Sequence, residues 1–310
     1  MKKNLYIFLF TLLNFYSCVK QDQTVNSDQF ITVLGTIQDA GYPQIGCERD
    51  CCNKLFSDNK TNYVTSIGVT DLNKNKNFLF EATPDIGEQI KKLNHNLNKD
   101  LIIDGIFLTH AHIGHYSGLM YFGREALGGF KIPVFAMPRM LLFLKNNGPW
   151  SQLTSLENID LIPLENNISV NITSNLSVVP FEVPHRDEFS ETVGYKIIGP
   201  NKSALFIPDI NKWELWNRDI VNEVMSVDYA FLDATFFQDG EINRPMSEIP
   251  HPFITETLKL FENESREVKN KIYFIHFNHT NISLETNNSV IDSIADLGYN
   301  FSHFGDQLPL

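Results

Sequence analysis

The chain is 310 residues long, 43% hydrophobic and 12% aromatic, with a formal charge of −12. That supplies a sizeable core and excludes a disordered main body. The acidic balance argues against a nucleic-acid surface or an anionic-membrane patch, but not against a small anionic substrate, because bound metal cations dominate their own local field.

The N-terminus is not expected to belong to the fold. Met1-Lys2-Lys3 is basic, and Leu5 to Leu13 is an apolar run too short to span a bilayer, so residues 1–17 read as a signal peptide. Ser17-Cys18 just after this run reads as a lipobox with Cys18 lipidated; the alternative is an ordinary secretory signal with a chance cysteine. Residues 18–29 are polar and aperiodic, a tether, and residues 30–310 form one domain. The expected location is a bacterial envelope, with the membrane touched only through a lipid anchor.

Phe30 to Gly35 reads as a strand, followed by a loop carrying Cys47, Cys51 and Cys52. Tyr63–Thr70 and Asn77–Phe80 flank the polar turn Asn73–Lys76 and predict a hairpin. Thr83-Pro84-Asp85 opens an amphipathic helix running to about Leu93. Leu101–Leu108 predicts a buried strand, Ser117–Leu127 a helix, Lys131–Ala136 a strand and Pro138–Lys145 a helix. The second half repeats the style, with strands at Ile159–Leu164, Ile168–Ile172, Leu176–Val183, Thr192–Ile198, Ser203–Ile207, Tyr229–Leu232 and Lys271–His276. Helices are expected near Trp213–Val224, Phe253–Phe261 and Asn288–Leu297. Strands early in each half with helices interleaved later predict an α+β fold of two face-to-face mixed sheets with helices outside, an αββα four-layer sandwich.

The chemistry concentrates at strand ends. His110, His112 and His115 lie within six residues, after a hydrophobic strand and before a helix, where a turn can aim several imidazoles at one point. His185, Asp209 and His276 each follow a further apolar strand. Neutral imidazoles with a carboxylate suit Zn²⁺, and also Fe²⁺ or Mn²⁺.

The order Asp85; His110, His112, Gly114, His115; His185; Asp209; His276 resembles the metallo-β-lactamase superfamily, whose pattern is a strand-end Asp, HxHxDH, then a lone His, Asp and His. The resemblance covers about Thr32 to His279 and implies the same αββα sandwich. It implies that His110, His112 and His185 hold a first metal, that Asp209 bridges, and that His115 and His276 hold a second. Asp85 would orient a ligand histidine from outside the coordination shell. Gly114 stands where the motif has a carboxylate, which predicts one tight zinc site and a second that is weaker or empty.

Two branches are similar. "VLGTIQDAGYPQIGC", "EATPDIGEQI" and "FIHFNHTN" resemble PqqB proteins of quinone cofactor biosynthesis, while the intact histidine pair is nearer the PhnP cyclic phosphodiesterases. By the latter resemblance Cys47, Cys51, Cys52 and His279 would form a structural zinc site, although the cysteine spacing differs; a disulfide is the alternative in an oxidising compartment. His251 would donate a proton to the leaving group, the alternative being a plain residue at a helix start. Arg186 could bind an anion or simply be a surface charge. His95 and His303 fall outside the pattern.

The expected function is hydrolysis of a phosphodiester or related ester by a metal-activated water, with Asp209 and His251 as catalytic residues. Two other readings remain open: a PqqB-like iron-dependent oxidative enzyme, and a lipoprotein that binds metal without catalysis.

Overall fold

The computed structural model describes residues 27–97, 102–243, 245 and 248–310. The leader, Cys18 and most of the tether lie outside them. No helix among the described residues is long and apolar enough to cross a membrane.

The strands in chain order are β1 (Gln29–Gly35), β2 (Ser66–Asp71), β3 (Lys76–Phe80), β4 (Gly105–Phe107), β5 (Ile132–Ala136), β6 (Ile159–Pro163), β7 (Val170–Asn171), β8 (Ser177–Glu182), β9 (Val193–Ile198), β10 (Ser203–Ile207), β11 (Tyr229–Asp233), β12 (Ile272–Ile275), β13 (Asn300–Phe301) and β14 (Gln307–Pro309). The helices that matter below are α1 (Asp50–Asp58), α2 (Ile86–Leu93), α3 (Ile113–Tyr116), α4 (Pro138–Asn146), α5 (Trp150–Ser155), α6 (Ile220–Met225) and α7 (Ile254–Leu260).

Two seven-stranded sheets result, in the orders β14-β1-β2-β3-β4-β5-β6 and β13-β12-β11-β10-β9-β8-β7. Each is antiparallel on one side and parallel on the other: β3 to β6 run parallel, as do β10 to β13. β1 and β8 are each two antiparallel steps from a strand of the parallel half, so they point the same way as it.

The period-2 geometry of a strand divides the apolar residues between layers. Phe78, Phe80 and Phe107 face the other sheet and pack with Tyr195, Ala204, Phe206 and Phe231. Leu79, Ile106 and Leu108 point the opposite way, onto α2, α4 and α5. In the second sheet Leu205, Ile207 and Leu232 point outward against α6 and α7. Three apolar layers separated by two sheets make the four-layer sandwich. The central layer is aromatic: Phe107 stacks between Phe80 and Phe135 at 4.8 and 4.5 Å, and Tyr195 meets Phe80 edge-on at 5.4 Å. The Tyr195 hydroxyl also donates to the Leu108 carbonyl at 2.5 Å, linking the sheets beside the histidine loop.

Several local expectations change. The cysteine loop contains α1, and the C-terminus returns as β14 to pair with β1. The helix expected over 117–127 is a 3-10 helix at Ser117–Phe122 followed by turns. Gly118 explains the tightness there: a Cβ on it would lie 2.0 Å from the Thr83 carbonyl oxygen, while its own N–H donates to Ala82 O.

Candidate metal centre

Strands pointing one way deliver their C-terminal ends to one edge, the usual place for a site in a sheet with parallel strands. β1, β4, β8, β10, β11 and β12 all end there. They present Asp39, the 110–115 loop, His185, Asp209, Asp233 and His276, and the loop before α7 adds His251.

Asp209 is the hub. Its Oδ2 lies 3.3 Å from His110 Nε2, 3.5 Å from His115 Nε2 and 3.8 Å from His276 Nε2; its Oδ1 lies 3.2 Å from His185 Nε2. His112 approaches through Nδ1, 2.8 Å from His110 Nε2 and 3.3 Å from His185 Nε2. His110, His112, His185 and Asp209 thus bring one ligand atom each within 4.8 Å of one another.

The far nitrogen of each Nε2-presenting histidine has a partner. Thr109 Oγ1 holds His110 Nδ1 at 2.8 Å, Asn211 Oδ1 holds His185 Nδ1 at 3.2 Å, Thr235 Oγ1 holds His276 Nδ1 at 2.8 Å, and Glu81 Oε1 sits 3.3 Å from His115 Nδ1. Such partners set the tautomer and aim the ring at a metal. Burial lowers the pKa of His110, His185 and His276, favouring the neutral ligand form. Burial works against charge on His115 too, but the Glu81 and Asp39 carboxylates prevail and hold its pKa well above the usual range. Burial would raise Asp209, yet His185, His251 and His276 keep its pKa well below the usual range.

A divalent cation fits this donor set. Asp39 Oδ1, His115 Nε2 and His276 Nε2 are buried within 4.8 Å of one another, with no hydrogen-bond partner outside that group, and Asp209 Oδ2 lies 3.5 and 3.8 Å from the two histidines. Buried polar atoms are seldom left so, and several orphans converging on one point are what a bound cation satisfies.

Asp85 does not orient a ligand histidine. Its Oδ2 accepts from the Val64 N–H at 2.7 Å, bracing the start of α2 against the segment entering β2. The carboxylate beside a ligand histidine is Glu81, four residues earlier, fully buried and held at φ +80°. Sequence reading missed it, though a lone Glu closing an apolar strand was a visible signal.

Sequence reading also missed Asp39 and Asp233. Asp39 Oδ1 lies 2.9 Å from His115 Nε2 and 4.0 Å from His276 Nε2. Asp233 sits 2.9 Å from His251 Nδ1 and accepts from the Ile210 and Thr235 amides and the Thr235 hydroxyl. Its oxygens are therefore occupied, which makes it a positioning carboxylate. His251 Nδ1 also lies 3.2 Å from Asp209 Oδ1. Burial disfavours its charge, but Asp233 and Asp209 raise its pKa to about 9.

A second cluster forms behind the first, where Cys47, Cys52 and His279 bring their ligand atoms within 4.8 Å of one another. Cys51 is not among them. It is adjacent to Cys52 on α1, where neighbouring side chains point in different directions, so only one of the pair can face Cys47 and His279. Cys47, Cys51 and Cys52 are all free thiols in the structure.

A cleft of about 500 Å³ opens beside the centre, and its lining includes Gln38, Arg186, His251, Asn243 and Asn278. With Glu248 also in the lining, charged groups of both signs surround the approach to the candidate metal ligands.

Two facing mixed sheets with a histidine–carboxylate centre at their shared edge define an αββα sandwich with a candidate metal centre. The chain belongs to the beta-lactamase superfamily domain family, which matches residues 76–277. Its fold is similar to Zn²⁺-bound PqqB from Methylobacterium extorquens, at 21% identity and a TM-score of 0.75, covering 91% of this chain and 100% of that one. It is also similar to a diphosphatase from the PhnP family, at 22% identity and 0.61, covering 90% and 96%. Human tRNase Z, short form, matches at 14% identity and 0.55, covering 90% and 98%. No curated protein sequence matches the chain.

Proposed function

We propose that this protein is an exported metal-dependent hydrolase that cleaves a phosphodiester or related ester. The observation that carries the reading is the convergence of His110, His112, His115, His185 and His276 on Asp209, beside a cleft that also holds His251 and Arg186. Zinc is the proposed cation, with Fe²⁺ and Mn²⁺ as the other metals this donor set accepts. When bound, such cations supply Lewis acidity and a nucleophilic hydroxide near neutral pH.

The chain's own groups do the rest. Asp209 orients the attacking water. Arg186, exposed at the cleft, attracts an anionic substrate. His251 Nδ1 is taken by Asp233, so Nε2 is the nitrogen that meets the substrate and passes a proton to the leaving oxygen. Export and lipidation at Cys18 belong to the same proposal; Cys18→Ser should release the protein from membranes and abolish fatty-acid labelling.

The test is turnover of bis(p-nitrophenyl) phosphate, lactones and a β-lactam by zinc-loaded protein, beside His112→Ala. Turnover lost together with one metal supports the reading. Turnover that survives loss of that metal overturns it.

A second reading, an iron-dependent oxidative enzyme, follows from the PqqB-like stretches at Val33–Cys47, Glu81–Ile90 and Phe274–Asn281. Anaerobic iron loading followed by oxygen-consumption measurements separates it from hydrolysis.

A further inference from the structure

Gly114 removes a carboxylate from the histidine motif, which predicted a weak second metal site. The structure supplies that carboxylate from elsewhere. A Cβ built on Gly114 would lie 2.3 Å from Asp39 Oδ1, 2.8 Å from its Cγ and 2.6 Å from its Cα. The Asp39 side chain therefore occupies the space into which a side chain at 114 would grow. It arrives from the first sheet's opening strand, 75 positions earlier in the chain.

The approach is built into the fold. Ile37 bridges Phe277 in parallel register; Gln38 N–H donates to Phe277 O at 2.9 Å, and Phe277 N–H to Thr36 O at 2.7 Å. The segment after β1 is thereby tied to the segment carrying His276, which puts Asp39 next to both histidines of the second site. Asp39 Oδ1 and the Nε2 atoms of His115 and His276 lie within 4.8 Å of one another, and all three are buried with no hydrogen-bond partner outside that group.

We infer that Asp39 is a ligand of the second metal, a carboxylate transferred from the histidine motif to the β1 loop, and that Gly114 is the residue this transfer requires. The second site then has four protein ligands: Asp39, His115, His276 and the bridging Asp209. It is a full site and not a weakened one. The inference rests on the metal-centre reading above and deepens it.

The exchange makes the two positions interdependent. Asp at 114 cannot coexist with Asp39, because its Cβ would meet the Asp39 backbone. The test is zinc stoichiometry and chelator competition on full-length wild type, Asp39→Ala, Asp39→Asn and Gly114→Asp, with His112→Ala as reference. Counting each variant against wild type makes the result independent of zinc at the cysteine cluster.

Asp39→Ala should bind one zinc fewer, or hold its weaker zinc at least about a hundredfold less tightly, since loss of even an outer-shell partner costs 10–100-fold. Asp39→Asn keeps the volume and should lie between. Gly114→Asp should lose the same zinc, because its Cβ would push the Asp39 backbone and carboxylate aside. Wild-type stoichiometry and affinity in both Asp39→Ala and Asp39→Asn would overturn the assignment. If His112→Ala also lost no zinc, the failure would lie with the metal-centre reading itself.

Discussion

At the scale of single residues, the centre depends on groups that aim ligands as much as on the ligands. Glu81 is the clearest. Burial pushes its carboxyl pKa up, His115 opposes that, and the residue holds an unusual positive φ to reach the His115 ring. A backbone conformation of this kind is kept only when its surroundings over-determine it. Glu81→Gln keeps the shape but weakens the charged contact. It should lower affinity for the metal on His115 by roughly 10–100-fold while leaving the His110–His112–His185 site near wild type. Competition with a chromogenic chelator reads this directly, and equal loss at both sites would count against a role through His115. The cysteine pair makes the same point in reverse: the resemblance to PhnP proteins implied three thiolates, but helix geometry turns Cys51 away from the point that Cys47 and Cys52 share.

At the scale of elements, the histidine loop is positioned by β4 and by what packs on either side of it. Phe107 is wholly buried between the sheets, stacked on Phe80 and Phe135, and three residues before His110. Phe107→Ala should cost about 3–5 kcal/mol, the usual range for a buried Phe, measured by denaturant unfolding of the metal-free protein. A loss below about 1 kcal/mol would mean that the central aromatic layer does not carry the load assigned to it. The strands β3, β4 and β10 were legible from their short apolar runs. The short strands β13 and β14 and helix α1 were not, because their residues form no sustained period, and pairing or docking stabilises them instead.

At the scale of the whole molecule, the two sheets meet at one edge, and the candidate metal ligands come from both. Asp39 and the 110–115 loop belong to the first sheet; His185, Asp209 and His276 belong to the second. A cation bound across that edge binds the folded chain and not the unfolded one, so it stabilises by linkage, about 2.7 kcal/mol at a hundred times its Kd. Chelation should therefore lower the Tm at pH 7.5. The gap between loaded and stripped protein should narrow as pH falls below about 6.5, where free imidazoles take up protons. The sign follows from competition: acid raises the Kd for metal and so shrinks the linkage term. A gap that is constant between pH 7.5 and 5 would speak against histidine ligation.

The sequence by itself determined the sandwich and most of the centre, because both write themselves locally. A buried strand announces itself as a short apolar run, and His110, His112, His115, His185, Asp209 and His276 each follow such a run. Only the tertiary structure decided what fills the gap at Gly114, which carboxylate steadies His115, what partners His251, and which two cysteines face His279. Asp39 is separated from its metal-site neighbours by 76 and 237 positions, and the link is a backbone bridge from Ile37 to Phe277. No local period encodes a contact of that kind. It exists because two sheets pack face to face and bring their strand ends to one edge, and that is also where the chain replaces the carboxylate its histidine motif has lost.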